Sequence, residues 1–393
     1  MRLQKNVLAA AAASTLMLAA CGGGGNGNAP VLSRYAALGE KIFNDKNLSA
    51  SGAQACSTCH NPNAAHAQIN DLPVQLGGAN LDRHGFRAPP SLNYLDHAPA
   101  FYFDAAFDPV GGFDLDGRAA TLADQPALPL LASFEMANGS KAEVVARLQT
   151  SIYADEFRAV FGAGILGDPE KAFADLSFAL QQYQIEDAGF HPYNSKYDLY
   201  LAGKATLTHA ELHGLALFND PQKGNCSACH PSVSGANGNP PTFTNYRYAA
   251  IGVPRNAAIP ANNTATYFDL GACGPYRTDL SKRLDLCGAF KVPSLRNVAT
   301  RKVFFHNGRF NDLTTAVTFL VQRDTNPASW YPGDAAGSVQ AFDDLPAGAR
   351  INVDVADAPF NRQRGGTPAL SASEIADLVQ FLGTLTDGYS VAP

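Results

Sequence analysis

The sequence predicts a mainly α-helical protein in which one structural unit is used twice, with long loops between the helices. Three observations carry this. A Cys-x-x-Cys-His pattern occurs as Cys56-Ser57-Thr58-Cys59-His60 and again as Cys226-Ser227-Ala228-Cys229-His230. Upstream of each lies a matching stretch, Leu38-Gly39-x-x-Ile42-Phe43-Asn44-Asp45 in the first copy and His213-Gly214-x-x-Leu217-Phe218-Asn219-Asp220 in the second. The first copy has five more residues between this stretch and its cysteines. Finally, helix signals recur along the chain and strand signals are weak.

The elements follow in order. Arg2 and Lys5 precede an apolar run from Val7 to Ala20, too short for a comfortable membrane span and suited to a signal peptide over 1–20. It ends in Leu18-Ala19-Ala20-Cys21, which resembles a bacterial lipobox, so cleavage would leave an acylated Cys21 at the start of a Gly- and Asn-rich tether over 21–33. The alternative is an ordinary secretory signal with an incidental Cys. Either reading exports the chain to the periplasm, with contact to the membrane only through a lipid anchor. An N-terminal domain is expected over 34–190 and a C-terminal one over 191–393, with the boundary near Glu186–Lys196. The Leu38 stretch reads as an amphipathic helix entering the first Cys motif. A helix is expected over about Ala142–Phe161. Another is started by Asp168-Pro169-Glu170 and runs to about Gln184. In the second unit the capping box Thr208-x-x-Glu211 opens the helix before the Cys motif. Pro231–Asn263 reads as loop. Ser371-x-x-Glu374 caps a closing helix from Ile375 to about Leu385, with Ile375, Leu378, Val379, Leu382 and Leu385 on one face. Cys273 and Cys287 are left over, and in an exported protein a disulfide between them is favoured over a free thiol pair.

Composition excludes several classes. A hydrophobic share of 46% excludes wholesale disorder. A net charge of −6 without a run of one sign argues against nucleic acid as a partner. The motifs supply the chemistry. Two thiols about one helical turn apart can add to the two vinyl groups of a porphyrin, and the adjacent His is then placed under the iron. About 0.003 such matches are expected by chance from these residue counts, so two are strong evidence for two covalently bound c-type haems. Zinc or redox Cys-x-x-Cys motifs are the alternative, but zinc needs further ligands at suitable spacing. A helix before each haem site and a closing helix after it resemble a cytochrome c fold used in tandem. Cys56, Cys59, Cys226 and Cys229 are the expected attachment residues, and His60 and His230 the proximal iron ligands. Three Met are present, and removal of the signal leaves only Met136, so the two haems cannot both have Met ligands.

These residues carry a resemblance to the bacterial di-haem cytochrome c peroxidase and MauG superfamily. It rests on the separation of the two haem motifs and on Asp116-Gly117-Arg118-Ala119 and Phe134-Glu135-Met136. The most specific block is Phe290-Lys291-Val292-Pro293-Ser294-Leu295-Arg296-Asn297 followed by Phe305-His306-Asn307-Gly308. The resemblance implies a peroxide site at the N-terminal haem and electron transfer or storage at the C-terminal one. Its peroxide-site residues fall here on Gln125, Pro129 and Glu135. A carboxylate beside bound peroxide can take a proton from the proximal oxygen and return it to the distal one, making water the leaving group. Gln125 would orient peroxide or a water, and Pro129 would wall the pocket.

Several positions depart from the family. Peroxidases that need reductive activation carry a His where this chain has Leu76–Asn80, which holds none. His66 and His84 are nearby and could swing in, but an open or water-ligated first haem is expected. The position of the Met or Tyr ligand to the second haem is Leu320, which cannot bind iron. That haem is then five-coordinate or water-bound, or a neighbour such as Tyr331, His306 or Lys302 substitutes. The usual inter-haem Trp is Leu115, which leaves Phe113 or a Tyr to carry electrons. Trp330, the only Trp, is expected to pack. The family's calcium position has Ala88 in place of Asn, so calcium is doubtful and Arg301 or Lys302 is expected to supply positive charge. The functions implied are hydrogen peroxide reduction with electrons from a small periplasmic donor protein, or a MauG-like oxidation of aromatic residues in a partner protein. A third is a non-catalytic di-haem electron carrier or sensor.

Overall fold

The computed structural model describes residues 31–235, 238–333 and 338–390. The expected signal peptide, Cys21 and nearly all of the tether lie outside them. Ten α-helices occur among the described residues. Six belong to the first half: α1 (Arg34–Asn44), α2 (Cys56–Cys59), α3 (Ala127–Leu131), α4 (Lys141–Gln149), α5 (Ala154–Phe161) and α6 (Pro169–Glu186). Four belong to the second: α7 (Lys196–Leu201), α8 (His209–Asn219), α9 (Leu313–Gln322) and α10 (Ala372–Gly383). Strands are six two-residue pieces in three antiparallel pairs. The last pair joins Tyr248–Ala249 to Phe290–Lys291. Among its described residues the 231–263 stretch is otherwise irregular, with one short 3₁₀ turn at Pro260–Asn263.

Helix starts follow the capping chemistry. Asp168 accepts from the Lys171 amide with Pro169 next to it, and Thr208 and Ser371 form reciprocal capping boxes with Glu211 and Glu374. The helix expected over Ala142–Phe161 is instead two, α4 and α5, broken at Thr150–Tyr153. The Thr150 hydroxyl donates to the Arg147 carbonyl at 2.9 Å, and Tyr153 turns its hydroxyl to Asp45 at 2.7 Å. A short hydroxyl side chain that captures the backbone competes with helix continuation.

The two halves repeat one packing arrangement. α1 crosses α6, and α8 crosses α10, with a glycine at each crossing. A Cβ on Gly39 would sit 2.0 Å from the Ala179 carbonyl oxygen, and one on Gly214 would sit 2.1 Å from that of Asp377. The close approach explains why Gly recurs in the two upstream stretches. Each crossing has its own apolar core, one built from residues between Leu38 and Phe190 and the other from residues between Tyr197 and Leu385. The gap between them falls inside the expected boundary region. A smaller cluster over Ala272–Val353 contains the Cys273–Cys287 disulfide, which forms as expected. The described residues from Leu32 onward form one compact unit. Ion pairs tie the halves together: Arg87 pairs with Asp269 at 2.6 Å and Arg247 with Asp104 at 2.6 Å, while Arg296, paired with Asp198 within the second half, lies 4.6 Å from the ring of Tyr94 in the first.

Candidate functional site

A cavity of about 540 Å³ runs through both halves, and its walls include Cys56, Cys59 and His60 as well as Cys226, Cys229 and His230. That volume is in the range of cofactor sites. α2 places Cys56 and Cys59 at its two ends, and a single 3₁₀ turn does the same for Cys226. None of the four sulfurs is in a disulfide, and burial pushes the Cys56 and Cys226 thiols up to about 12.

The two histidines are held alike. His60 Nδ1 lies 3.2 Å from the His66 carbonyl, and His230 Nδ1 lies 2.8 Å from the Phe243 carbonyl. A carbonyl only accepts, so Nδ1 carries the proton and Nε2 keeps its lone pair. Burial pushes both imidazoles down to about 4, which keeps them neutral. Two neutral imidazoles with free Nε2 atoms, each beside a thiol pair in one cavity, fit the iron and vinyl groups of two haems.

The loops that fix them repeat too. His66 and Phe243 both have positive φ, 49° and 54°. Their carbonyls also accept the Leu92 and Leu295 amides, within Pro90-Ser91-Leu92 and Pro293-Ser294-Leu295. Ser91 and Ser294 each donate a hydroxyl to a backbone oxygen, of Ala65 and Thr242 respectively. His66 is thus the counterpart of Phe243. It is buried, stacks 3.8 Å from Phe190, and its Nδ1 is 2.7 Å from Asn93 Oδ1. This corrects the expectation that His66 could swing in as an iron ligand, because its ring belongs to the core behind His60. His84 is exposed in a short strand.

Glu135, Gln125 and Pro129, the residues expected at a peroxide site, all line this cavity. Sequence reasoning missed the group that organises them. Gln125 Nε2 donates to Asp114 Oδ1 at 3.1 Å, and Asp114 pairs with Arg118 at 3.1 Å. Burial, followed by the nearby Asp114 charge, pushes the Glu135 carboxyl up to about 7, against the pull of Arg118 and Arg87. Asp114 itself is raised by burial. Asp114 stands two residues before Asp116, which pairs with Arg87 at 2.8 Å and Arg118 at 3.1 Å. The turn that starts at Asp114 closes on Gly117, whose amide donates to the Asp114 carbonyl at 3.4 Å. Its φ is +67°, and a Cβ there would meet the Tyr248 hydroxyl at 1.7 Å. The Asp-Gly-Arg block was the available signal for this network.

Between the halves, Leu115 and Phe113 line the cavity, and the Leu115 carbonyl accepts the Lys291 amide at 2.8 Å. The Lys291 ammonium donates to the Gly112 carbonyl and lies 5.5 Å from the Phe113 ring. Burial pushes it down to about 8, opposed by Asp114 and Asp116. Arg301, from the second half, lies near His60. It donates to Pro89 O at 3.0 Å and to Val303 O at 3.3 Å, and burial pushes it down to about 10. Ala88 is buried beside it and donates its amide to the His306 carbonyl. Lys302 is exposed.

The position expected for a second-haem ligand, Leu320, lines the cavity on α9. Two of its suggested substitutes are turned elsewhere. Tyr331 donates its hydroxyl to Gly252 O at 2.5 Å, and Lys302 points away at the surface. His306 lines the cavity, but its Nε2 is 3.3 Å from Asp344 and its ring stacks 3.9 Å from Phe290. Trp330 packs edge-on against Phe310 and Phe319, as expected.

A tandem helical fold around one cavity with two paired Cys-His sites defines a di-haem protein, and comparison with known proteins makes the class specific. The family model for di-haem cytochrome c peroxidase matches residues 33–206. The methylamine utilization protein MauG of Paracoccus denitrificans is 38% identical over 297 residues, covering 74% of this chain and 75% of that protein. Cytochrome c551 peroxidase of Pseudomonas aeruginosa is 29% identical over 294 residues, covering 74% and 72%. The crystal structure of the di-haem peroxidase BthA from Burkholderia thailandensis superposes with a TM-score of 0.83 at 37% identity, over 90% of this chain and 86% of that one. The chain belongs to the di-haem cytochrome c peroxidase and MauG family, and is a haem oxidoreductase.

Proposed function

We propose that this chain is an exported di-haem c-type enzyme that reduces hydrogen peroxide to water at the haem held by Cys56, Cys59 and His60. Cys226, Cys229 and His230 would hold the second haem, which would supply electrons to the first. Residues 34–190 and 191–393 are then the two haem domains, in line with the separate cores. When bound, each haem supplies an iron centre that exchanges electrons and, at the first site, accepts peroxide. His60 and His230 bind through Nε2, and the carbonyls of His66 and Phe243 fix their rings. The four thiols form the covalent links.

The observation that carries this reading is Glu135, a cavity-lining carboxyl raised to about 7 beside Asp114. Such a group can both take and return a proton near neutral pH. It removes the proton from one peroxide oxygen and delivers it to the other. Gln125, fixed by Asp114, orients the peroxide, and Pro129 closes the wall. Two electrons and two protons per peroxide then give two waters, the electrons coming from a small periplasmic donor protein. Calcium is not assigned. Arg301 bridges Pro89 O and Val303 O where the resemblance would place that ion. A lipid anchor through Cys21 is part of the same proposal.

A second reading is supported by Leu320. Without a Met ligand, the second haem lacks the usual electron-accepting centre of the peroxidases, which favours MauG-like oxidation of aromatic residues in a partner protein. A non-catalytic carrier or sensor is the third. The deciding experiment adds one equivalent of peroxide to the resting diferric holoprotein and follows optical and EPR spectra. Turnover with a reduced donor cytochrome supports the peroxidase. Oxidised haems that persist without a donor support the MauG-like enzyme. An unchanged response in Glu135→Gln would leave only the carrier or sensor.

A further inference from the structure

α9 presents one continuous hydrocarbon face to the cavity. Leu313, Ala316, Val317, Leu320 and Val321 line it, at the i, i+3, i+4, i+7, i+8 spacing of a single helix stripe. The hydroxyls of the same helix face elsewhere: Thr315 is tied to Asp312 at 2.8 Å and Thr318 to the Thr314 carbonyl at 2.7 Å, both exposed. Several other cavity-lining side chains of this half that could bind a metal or donate to a ligand are already engaged, and Asp357, also in the lining, is exposed. His306 is held between Asp344 and Phe290. Lys291 donates to Gly112 O. Tyr246 is 3.2 Å from Thr242 Oγ1, and Asp354 accepts the Ala356 amide at 2.9 Å. The proton-handling group of Glu135, Asp114 and Gln125 is in the other half.

We propose that the haem carried by His230 is a second ligand-binding site, which takes small uncharged diatomic molecules such as carbon monoxide or nitric oxide in the apolar pocket formed by α9. This rests on the di-haem reading above and extends it. An iron held by the His230 imidazole alone and facing the α9 stripe would have an open position, and that stripe would offer no donor to stabilise bound charge. Peroxide would find no base on the α9 stripe itself, so a ligand seated against it would bind without being cleaved. The ligand keeps its own atoms and electrons, and a single iron–ligand bond forms.

The test uses full-length holoprotein. A pyridine haemochrome assay first counts covalent haem, and fewer than two haems per chain would refute the di-haem reading itself. The dithionite-reduced protein is then titrated with carbon monoxide and followed by optical and infrared spectroscopy. Two carbon monoxide molecules per chain are expected. One C–O stretch should shift with pH across neutrality, from the Glu135 side, and the other should stay fixed between pH 5 and 8. Leu320→Met should lower the stoichiometry from two to one and give the ferric protein a low-spin signal with a sulfur-to-iron band. Binding of a single carbon monoxide by the unaltered protein, or two bands that both move with pH, would overturn the proposal even if that variant failed to fold. So would Leu320→Met that folds and still binds two.

Discussion

In the proposed reaction, Glu135 concentrates the chemistry of the site in one side chain. Burial alone raises a carboxyl, and a second carboxylate nearby raises it further, because two like charges are hard to hold in a medium of low polarity. Here Arg118 and Arg87 only partly offset the charge of Asp114. A general base is lost when it is protonated, so the rate of reaction with peroxide should fall as pH drops through about 7, roughly tenfold per unit below it. A stopped-flow pH profile would show this, and a flat profile from pH 5 to 8 would remove Glu135 from the role. Glu135→Gln keeps the shape and abolishes the titration. It should slow the peroxide reaction by about 10²-fold or more with haem content unchanged. Asp114→Asn should act one step back: it removes the like charge, so the midpoint of the profile moves to lower pH while the reaction survives. The sequence contained Glu135 and Gln125 at legible positions. It did not disclose Asp114, whose part depends on a turn at Gly117 that folds it onto Gln125.

At the scale of elements, legibility followed local chemistry. The capped helices α6, α8 and α10 were readable because an Asx or hydroxyl cap and an apolar stripe are written in adjacent residues. The break between α4 and α5 was not, because apolar spacing continues through Thr150 while its hydroxyl diverts the backbone. The likeness of the loops behind His60 and His230 was also hidden. The carbonyl acceptors stand six and thirteen residues after their histidines and share no side-chain identity, His66 against Phe243. What they share is a left-handed backbone and a place against an aromatic core. The repeated glycines were visible, but their reason lies in the helix crossings. Gly39→Ala or Gly214→Ala forces a methyl group into a carbonyl of the facing helix. Overpacking of this kind costs about 1–3 kcal/mol. Each variant should lower the temperature of thermal inactivation by several degrees, measured on holoprotein, whereas Gly203→Ala, with nothing near its Cβ position, should owe any loss to backbone strain alone.

For the whole molecule, the question is what joins the two halves with their separate apolar cores. Arg301 crosses from the second half to the loop that carries Ala88 and Pro89, beside His60. Burial lowers it, and among the described residues no carboxylate pairs with it. Three consequences follow from that one charge. Chelator treatment should leave the optical spectrum and the peroxide reaction of the holoprotein unchanged, and loss of activity restored by calcium would contradict the substitution of Arg301 for the ion. Arg301→Leu removes both bonds and leaves the buried carbonyls of Pro89 and Val303 unpaired, at a cost of about 1–3 kcal/mol each. The variant should therefore be less stable to heat than the parent, and added calcium should not restore it. A positive charge near an iron centre disfavours its oxidised, more positive state, so losing it should lower the reduction potential of the first haem and leave that of the second nearly fixed. Potentiometric titration of both haems distinguishes this from a general loss of packing, which would disturb the two without regard to their distance from Arg301.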